Sequence, residues 1–290
     1  MATSPELPKL YFDAIRVNFP QFVGSHLRIL DAGMDSRAVD ADDRVIVKFP
    51  RHASAEAALR RESAFLGYLL PRLRMAVPAL TMVETPLPFS MHEKLRGEHL
   101  VSAQYVGLAE SSRDRMADQL GQFYAQLHAL PEDDMRSLGA GPIAAWRSPD
   151  DIRRRVLPGM DMGEVAAAEA ILAAWERLPP DPYGIVYGHF DGHGWNMAFD
   201  HTTQTLNGLY DFADSGFGDL TQEFIYSDLV SPDLTDRIAA SYTRHCGRPI
   251  DLDRVRLLTS VHRLTELADA IGDPENEPLM RKAWRGWLQR

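Results

Sequence analysis

Asp191, Asn196 and Asp211 are the residues of this chain whose types and spacing could do chemistry. Asn196 follows Asp191 by five positions, and Asp211 follows Asn196 by fifteen. Asp191 lies in Val186-Tyr-Gly-His-Phe-Asp-Gly-His-Gly-Trp-Asn196, and Asp211 lies in Leu209-Tyr-Asp-Phe-Ala-Asp214. Moving a phosphoryl group from a nucleoside triphosphate to an alcohol needs a carboxylate that holds the attacking hydroxyl. It also needs an amide oxygen and a second carboxylate that hold Mg²⁺ on the phosphates. Any one of the three alone would read as a turn or a cap, because loops are full of aspartates. At these intervals together they form a far more specific pattern.

Positioning them takes a strand, a loop and a hairpin. Residues 185–187 form an apolar strand that runs into a loop rich in glycine: Gly188, Gly192 and Gly194. Met197-Ala-Phe199 starts a second strand, residues 200–204 turn it, and 206–210 bring it back. Asn196 and Asp211 then face each other across the hairpin and can share one cation. Mg²⁺ suits such a pair, since it takes few protein oxygens and fills its shell with phosphate and water. Asp214 is near enough to compete with Asp211.

The wider chain divides by texture. Strands at 26–30, 44–49, 80–83 and 89–93 surround one helix at 53–70, stopped by Pro71. After Leu95 the chain turns helical, with an apolar stripe of Met116, Leu120, Phe123, Leu127 and Leu130 over 113–130. Further helices are expected near 150–157, 163–178, 234–246, 251–271 and 276–290. The reading is α+β, a small antiparallel β-rich lobe at 1–94 and a larger mainly helical lobe at 95–290, with the ligand in a cleft between lobes.

Bulk properties exclude several classes. The 290 residues are 45% hydrophobic and 25% charged, an ordinary globular balance. A net charge of −10 argues against a nucleic-acid partner, and it is compatible with a cationic small molecule. Arg153-Arg154-Arg155 reads as a solvated helix face. Cys246 is the sole cysteine, so neither an intrachain disulfide nor a cysteine metal cluster can form, and a buried or partly buried thiol of no catalytic role is expected. The N-terminal residues lack a signal-peptide pattern, and no apolar run approaches the ~20 residues of a membrane span. The expectation is a cytoplasmic protein with no membrane partner.

His189-Phe-Asp-Gly-His-Gly-Trp-Asn196 resembles the catalytic loop of the aminoglycoside phosphotransferase family, usually His-Gly-Asp-x-x-x-x-Asn. Asp211-Phe-Ala-Asp-Ser-Gly-Phe-Gly-Asp219 is similar to that family's metal-binding segment. The sequence departs at Phe190, where glycine is usual, and at Ala213. The resemblance covers most of the chain and implies a two-lobed protein-kinase-like fold. It implies Asp191 as catalytic base, Asn196 and Asp211 as Mg²⁺ ligands, and ATP or GTP as donor. Lys48, in Val45-Ile-Val-Lys-Phe-Pro-Arg51, corresponds to the lysine that holds phosphates. Glu62 falls on the buried stripe of Leu59, Leu66 and Leu69, where a charge needs a partner, and Lys48 is the natural one. Leu30-Asp-Ala-Gly-Met-Asp-Ser36 fits the phosphate loop, with Gly33 and Ser36 as contacts. Ser90, Met91, His92 and Glu93 fall where the family's hinge meets the purine, with Met91 and Glu93 as candidates.

For the acceptor, His193, Asp214, Asp219, Glu223, Asp228, Glu266 and Asp269 are candidate contacts. Glu266 and Asp269 share a helix face that could hold ammonium groups. Asp219 is expected to brace the loop of Asp191, as is His189. The first acceptor to expect is aminoglycoside-like. A macrolide, or a choline- or homoserine-like metabolite, would use the same machinery. Two rival classes remain: a nucleotide-binding protein of this fold that transfers nothing, and a metal-dependent hydrolase built on His189-x-Asp191-x-His193.

Overall fold

A computed structural model describes residues 8–22, 24–30 and 36–289. In chain order, its first part runs α1 (Lys9–Asn18), β1 (Leu27–Leu30), β2 (Ser36–Ala41), β3 (Val45–Pro50), α2 (Ala53–Leu69), β4 (Thr81–Val83) and β5 (Phe89–Glu93). Helices α3 (Ser102–Val106), α4 (Glu110–Leu127), α5 (Glu132–Ser137), α6 (Pro149–Val156) and α7 (Met162–Glu176) follow. Next come β6 (Ile185–Gly188), β7 (Met197–Asp200), β8 (Thr205–Leu209) and β9 (Gly216–Asp219). The chain closes with α8 (Ile225–Val230), α9 (Pro232–Cys246), α10 (Leu252–Ala270) and α11 (Asn276–Leu288). The class is α+β. No described helix is long and apolar enough to cross a membrane.

The residues sort into two compact units. One comprises Met1–His99, Leu130–Ala140 and Asn196–Ala213, and the other Leu100–Ala129, Gly141–Trp195 and Asp214–Arg290. In the first, five antiparallel strands run in the order β1-β2-β3-β5-β4. Strand alternation decides its two faces. Val45, Val47 and Phe49 of β3 join Val39, Ala41 and Phe89 in a core closed by Ala14 and Ile15 of α1. Lys48 is therefore turned to the opposite face, opposite Ala38 on one side and Ser90 on the other. The edges of β2 were not foreseen, because Ser36-Arg-Ala-Val-Asp-Ala41 lacks a period-2 pattern. Its strand character comes from pairing with β1 and β3. Helix α2 starts where the His52 ring accepts from the Ala55 amide, at 3.1 Å, and it buries Leu59, Phe65, Leu66 and Leu69. Each such side chain contributes about 1.5–3 kcal/mol of burial.

The second unit is built on α10, which packs against α6, α7, α8 and α11, while α4 lies along α9. Ile152, Val156, Leu172, Leu264, Leu267 and Trp284 form one of its cores. Helix α4 begins three residues earlier and ends three earlier than 113–130, since His128 already serves as its C-cap. Asp161 and Glu164 form a capping box at the start of α7, an arrangement worth about 1 kcal/mol. Strand β9 was also unforeseen: Gly216-Phe-Gly-Asp219 carries two glycines and forms only by pairing with β6. Cys246 is exposed, contrary to expectation, because it closes α9 beside the left-handed Gly247. Arg153 is likewise not merely solvated. It pairs with Asp150, Glu169 and Glu176.

Candidate active site

In the first unit, Lys48, Glu62, Asn196 and Asp211 are brought together by one helix, one strand and one hairpin. Lys48 Nζ lies 3.5 Å from Glu62 Oε1, and Glu62 is 2% exposed. The same carboxylate oxygen accepts the Phe212 backbone N–H at 3.2 Å. Glu62 therefore ties the β3 lysine to the segment that carries Asp211. Burial would lower the Lys48 pKa, but the charges of Glu62 and then Asp211 more than offset it, and the net direction is upward. The ammonium stays charged at neutral pH.

The hairpin places Asn196 and Asp211 at its open end. Met197 pairs with Leu209, and the next rung is a bond from the Tyr210 N–H to the Asn196 carbonyl at 2.8 Å. Asp211 then leaves the ladder with φ 61°, a left-handed conformation that aspartate tolerates better than most residues. Tyr210 Oη donates to the Leu95 carbonyl at 2.5 Å, pinning the hairpin to the segment after β5. One amide oxygen and one carboxylate make a donor set that fits Mg²⁺ bound largely through phosphates. Ser90 Oγ, across the ladder from Lys48, is buried with no hydrogen-bond partner. It is a polar group available on the face where phosphates would lie.

The remaining nucleotide candidates are distributed unevenly. Gly33 lies outside the described residues. Ser36 begins β2, half-buried and opposite Pro50. Met91 is half-buried against the apolar core, and Glu93 is exposed at the end of β5. Between them His92 is buried, with Nδ1 2.8 Å from the Glu93 carbonyl, and burial pulls its pKa down to about 4. Beyond β5, a cavity of about 1090 Å³ is lined by charged groups including Arg28, Asp40 and Lys94. Lys94 and Arg28 each bind Asp40, at 2.8 Å and 3.0 Å.

The second unit holds Asp191. Its loop leaves β6 through His189, fully buried, and Phe190, with φ 53°. A left-handed backbone explains why glycine is usual at this position. Phe190 accepts the strain while burying its ring against Gly188 and Gly218 of the paired strands β6 and β9. A Cβ on Gly218 would lie 2.8 Å from the Phe190 ring. The brace of the loop is Glu223. Its fully buried carboxylate accepts the His189 and Phe190 amides, each at 2.8 Å, and sits 3.4 Å from His128 Nε2. His128 Nδ1 in turn lies 2.9 Å from Tyr242 Oη. Gly188 must be glycine here, since a Cβ would meet Glu223 Oε2 at 2.0 Å.

Sequence reasoning had offered Glu223 and Asp228 as acceptor contacts, and both are fully buried. It had given the bracing role to Asp219. Asp219 instead stands near Asp181 and Arg254, and burial, then Asp181, raise its pKa. His189 does support the loop: its Nδ1 accepts the Asp191 amide at 3.3 Å. His128 and Tyr242 went unnoticed. A histidine near the end of an apolar helix carries no signal until the fold sets a buried carboxylate beside it.

His193 Nε2 lies 3.2 Å from Asp191 Oδ1. Asp214 is exposed, and its charge joins those of Asp191 and Glu266 in acting on the hydroxyl of Tyr226. Burial first, then Asp191, push that hydroxyl's pKa up. Glu266 pairs with Arg263 at 2.7 Å, and Asp269 pairs with Arg147. The shared face of Glu266 and Asp269 is thus already occupied by guanidinium groups. Among the described residues no group of three or more His, Cys, Asp or Glu could hold a metal ion, which deprives the hydrolase reading of its ligand set.

Comparison with known proteins places this geometry. No curated protein matches the sequence significantly. Among solved structures, the GDP complex of wild-type aminoglycoside 2'-phosphotransferase-IIIa has a TM-score of 0.83 at 18% identity, covering 98% of this chain and 99% of that one. The gentamicin complex of APH(2")-IIa has a TM-score of 0.68 at 19% identity, over 99% and 97%. The apoenzyme of macrolide 2'-phosphotransferase MphH from Brachybacterium faecium gives 0.67 at 19%, over 95% and 98%. At these identities the likeness establishes a kinase-like fold. Residues 26–258 match the phosphotransferase enzyme family, a span that takes in the Lys48 strand, the Asp191 loop and the Asp211 segment. The chain belongs to the phosphotransferase enzyme family.

Proposed function

We propose that this phosphotransferase moves the γ-phosphoryl of ATP or GTP onto a hydroxyl of a small molecule. The observation that carries the reading is Glu62, which holds Lys48 and the Phe212 amide with one buried carboxylate. Lys48 stands on the sheet face opposite the core, paired with buried Glu62 yet still 22% exposed. An ammonium so placed can anchor phosphate oxygens. Lys48 would take those oxygens, with Ser36 and the backbone near Gly33 beside them. Met91 and Glu93 would offer backbone groups to the purine. Residues 1–94 serve the nucleotide, and 95–290 serve catalysis and the acceptor.

Asn196 and Asp211 would hold Mg²⁺, which neutralises phosphate charge when bound. Asp191 Oδ1, now 3.2 Å from His193 Nε2, accepts the proton of the attacking hydroxyl as the phosphoryl group leaves the nucleotide. The loop's fixed amides on Glu223 keep that carboxylate in place, so catalysis is mainly positioning and charge neutralisation. His193 and Asp214 would contact the acceptor, and Glu266 and Asp269 would do so only while paired with Arg263 and Arg147. Aminoglycosides come first as acceptors and macrolides second, following the enzymes of similar structure. A role in antibiotic resistance follows from either. A cytoplasmic location fits such chemistry.

The test is a coupled nucleoside-diphosphate release assay with Mg²⁺, ATP and GTP. Kanamycin, gentamicin, streptomycin, a macrolide and small amino alcohols serve as acceptors. Stimulation by one acceptor class supports the proposal. No Mg²⁺-dependent nucleotide binding would sink it.

A further inference from the structure

The loop that carries Asp191 is met on its buried side by a tyrosine. Tyr124 of α4 is fully buried, and its Oη has no hydrogen-bond partner among the described residues. The hydroxyl lies against Gly192, the residue after Asp191. A Cβ on Gly192 would fall 2.3 Å from Tyr124 Oη and 3.5 Å from its Cζ, so the oxygen takes the place that a side chain at 192 would need. Gly192 does not lie in the left-handed region, so it is the hydroxyl, not the backbone, that excludes a side chain there. The tyrosine ring is itself backed. It stacks on His128 with centroids 6.3 Å apart and planes 8° apart, and it meets Phe224 edge-on at 5.5 Å. His128 in turn lies against Glu223, the carboxylate that holds the His189 and Phe190 amides. One connected group of side chains thus pulls the loop at 189 and 190 and stops it at 192.

A buried hydroxyl without a partner costs folding free energy, and phenylalanine would fill the same ring site without that cost. Burial first, then the charge of Glu223, pushes the phenol's pKa well above its usual value, so the group stays neutral. The oxygen therefore carries no charge and completes no hydrogen bond with the described residues. What it does is touch Gly192. A misplacement of about 1 Å at a reacting group can cost about 10²-fold in rate, so a contact that fixes the backbone beside a base has value for turnover that it lacks for folding. We propose that the Tyr124 hydroxyl is a positioning residue for Asp191: a stop against Gly192 that sets where the loop lies and where the carboxylate points. It acts through the backbone and touches no substrate. The proposal rests on Asp191 being the base, as read above, and it gives Gly192 a task as the flat surface on which the stop bears.

The test is a double-mutant cycle in the full chain: Tyr124→Phe, Gly192→Ala and the two together, with Asp191→Asn alongside. Nucleoside-diphosphate release is followed with Mg²⁺-ATP and Mg²⁺-GTP, alone and with kanamycin, gentamicin, streptomycin or a macrolide, and urea unfolding is measured for each variant. Tyr124→Phe should lower kcat about 10-fold, leave the nucleotide KM unchanged, and keep the urea midpoint the same or raise it. Gly192→Ala should lose more, because its methyl meets the hydroxyl at 2.3 Å. The double variant should turn over faster than either single one. Its methyl replaces the missing oxygen and meets the ring carbon at 3.5 Å, an ordinary contact. Unchanged kcat in Tyr124→Phe overturns the proposal. So does a loss of kcat that comes with a lowered urea midpoint, or a double variant no faster than Tyr124→Phe. Turnover that survives Asp191→Asn, or none in the unaltered chain, would instead bring down the reading of Asp191 as base, so the two failures are told apart.

Discussion

The two halves of the proposed machinery are held by opposite means. Around Lys48, one carboxylate serves as a charge tie: Glu62 meets a lysine whose side chain keeps 22% of its exposure. Around Asp191, one carboxylate serves as a backbone staple, with Glu223 fully buried and accepting two successive amides. The first arrangement leaves the paired ammonium partly exposed. The second leaves nothing open, and spends a buried acid on the shape of a loop. In the proposed machinery the nucleotide side needs a reachable charge, while the base needs a fixed address.

Asp191→Asn should break the second half at its chemical point. Turnover should fall by about 10²–10⁴, with nucleotide affinity nearly intact. Steady-state release and nucleotide titration would check it, and near-normal turnover would refute the role. Glu223→Gln should loosen the same half structurally, costing about 2–4 kcal/mol in urea unfolding and lowering kcat, because a buried acceptor of two amides is lost or misplaced. Unchanged unfolding would mean the staple carries no weight.

In the first half, His92 offers a pH test. Its folded pKa, about 4, lies below its unfolded value of about 6.5. The unfolded chain therefore takes the proton first. Stability is intact above about pH 6.5 and falls as pH drops toward 4, by at most about 3 kcal/mol. His92→Gln should flatten that slope, as chemical unfolding across the range would show. Glu62→Gln should act more gently, raising the nucleotide KM about 10-fold and, since Glu62 is buried but the amide oxygen can still accept the Phe212 N–H, costing about 1–2 kcal/mol. Equal effects from Glu62→Gln and Glu223→Gln on stability would erase the contrast between tie and staple. Cys246→Ser, exposed at the end of α9, should stay within about 0.5 kcal/mol by thermal melting.

Much of this was legible beforehand. The hairpin around Asn196 and Asp211 announced itself through apolar runs on either side of a polar turn. Glu62 announced itself as a charge on an apolar stripe, and the structure sets it against Lys48. Strands β2 and β9 did not. One is polar and the other half glycine, and each is a strand only because a neighbour completes its hydrogen bonds. Glu223 was misread for a related reason. Its partners, His189 and Phe190, stand 34 and 33 residues away, and no local pattern reports burial produced by so distant a backbone.

By itself, then, the sequence determined the candidate groups, their order and the local elements that carry them, because side-chain chemistry and short-range periodicity are written in neighbouring residues. Only the tertiary structure decided which carboxylates are spent internally. Glu223 and Asp228 are sealed away, Glu266 and Asp269 are neutralised by arginines, and Asp214 stays exposed. Solvation decides whether an acid is a staple, an ion-pair partner or a ligand, and solvation is a property of the packed chain.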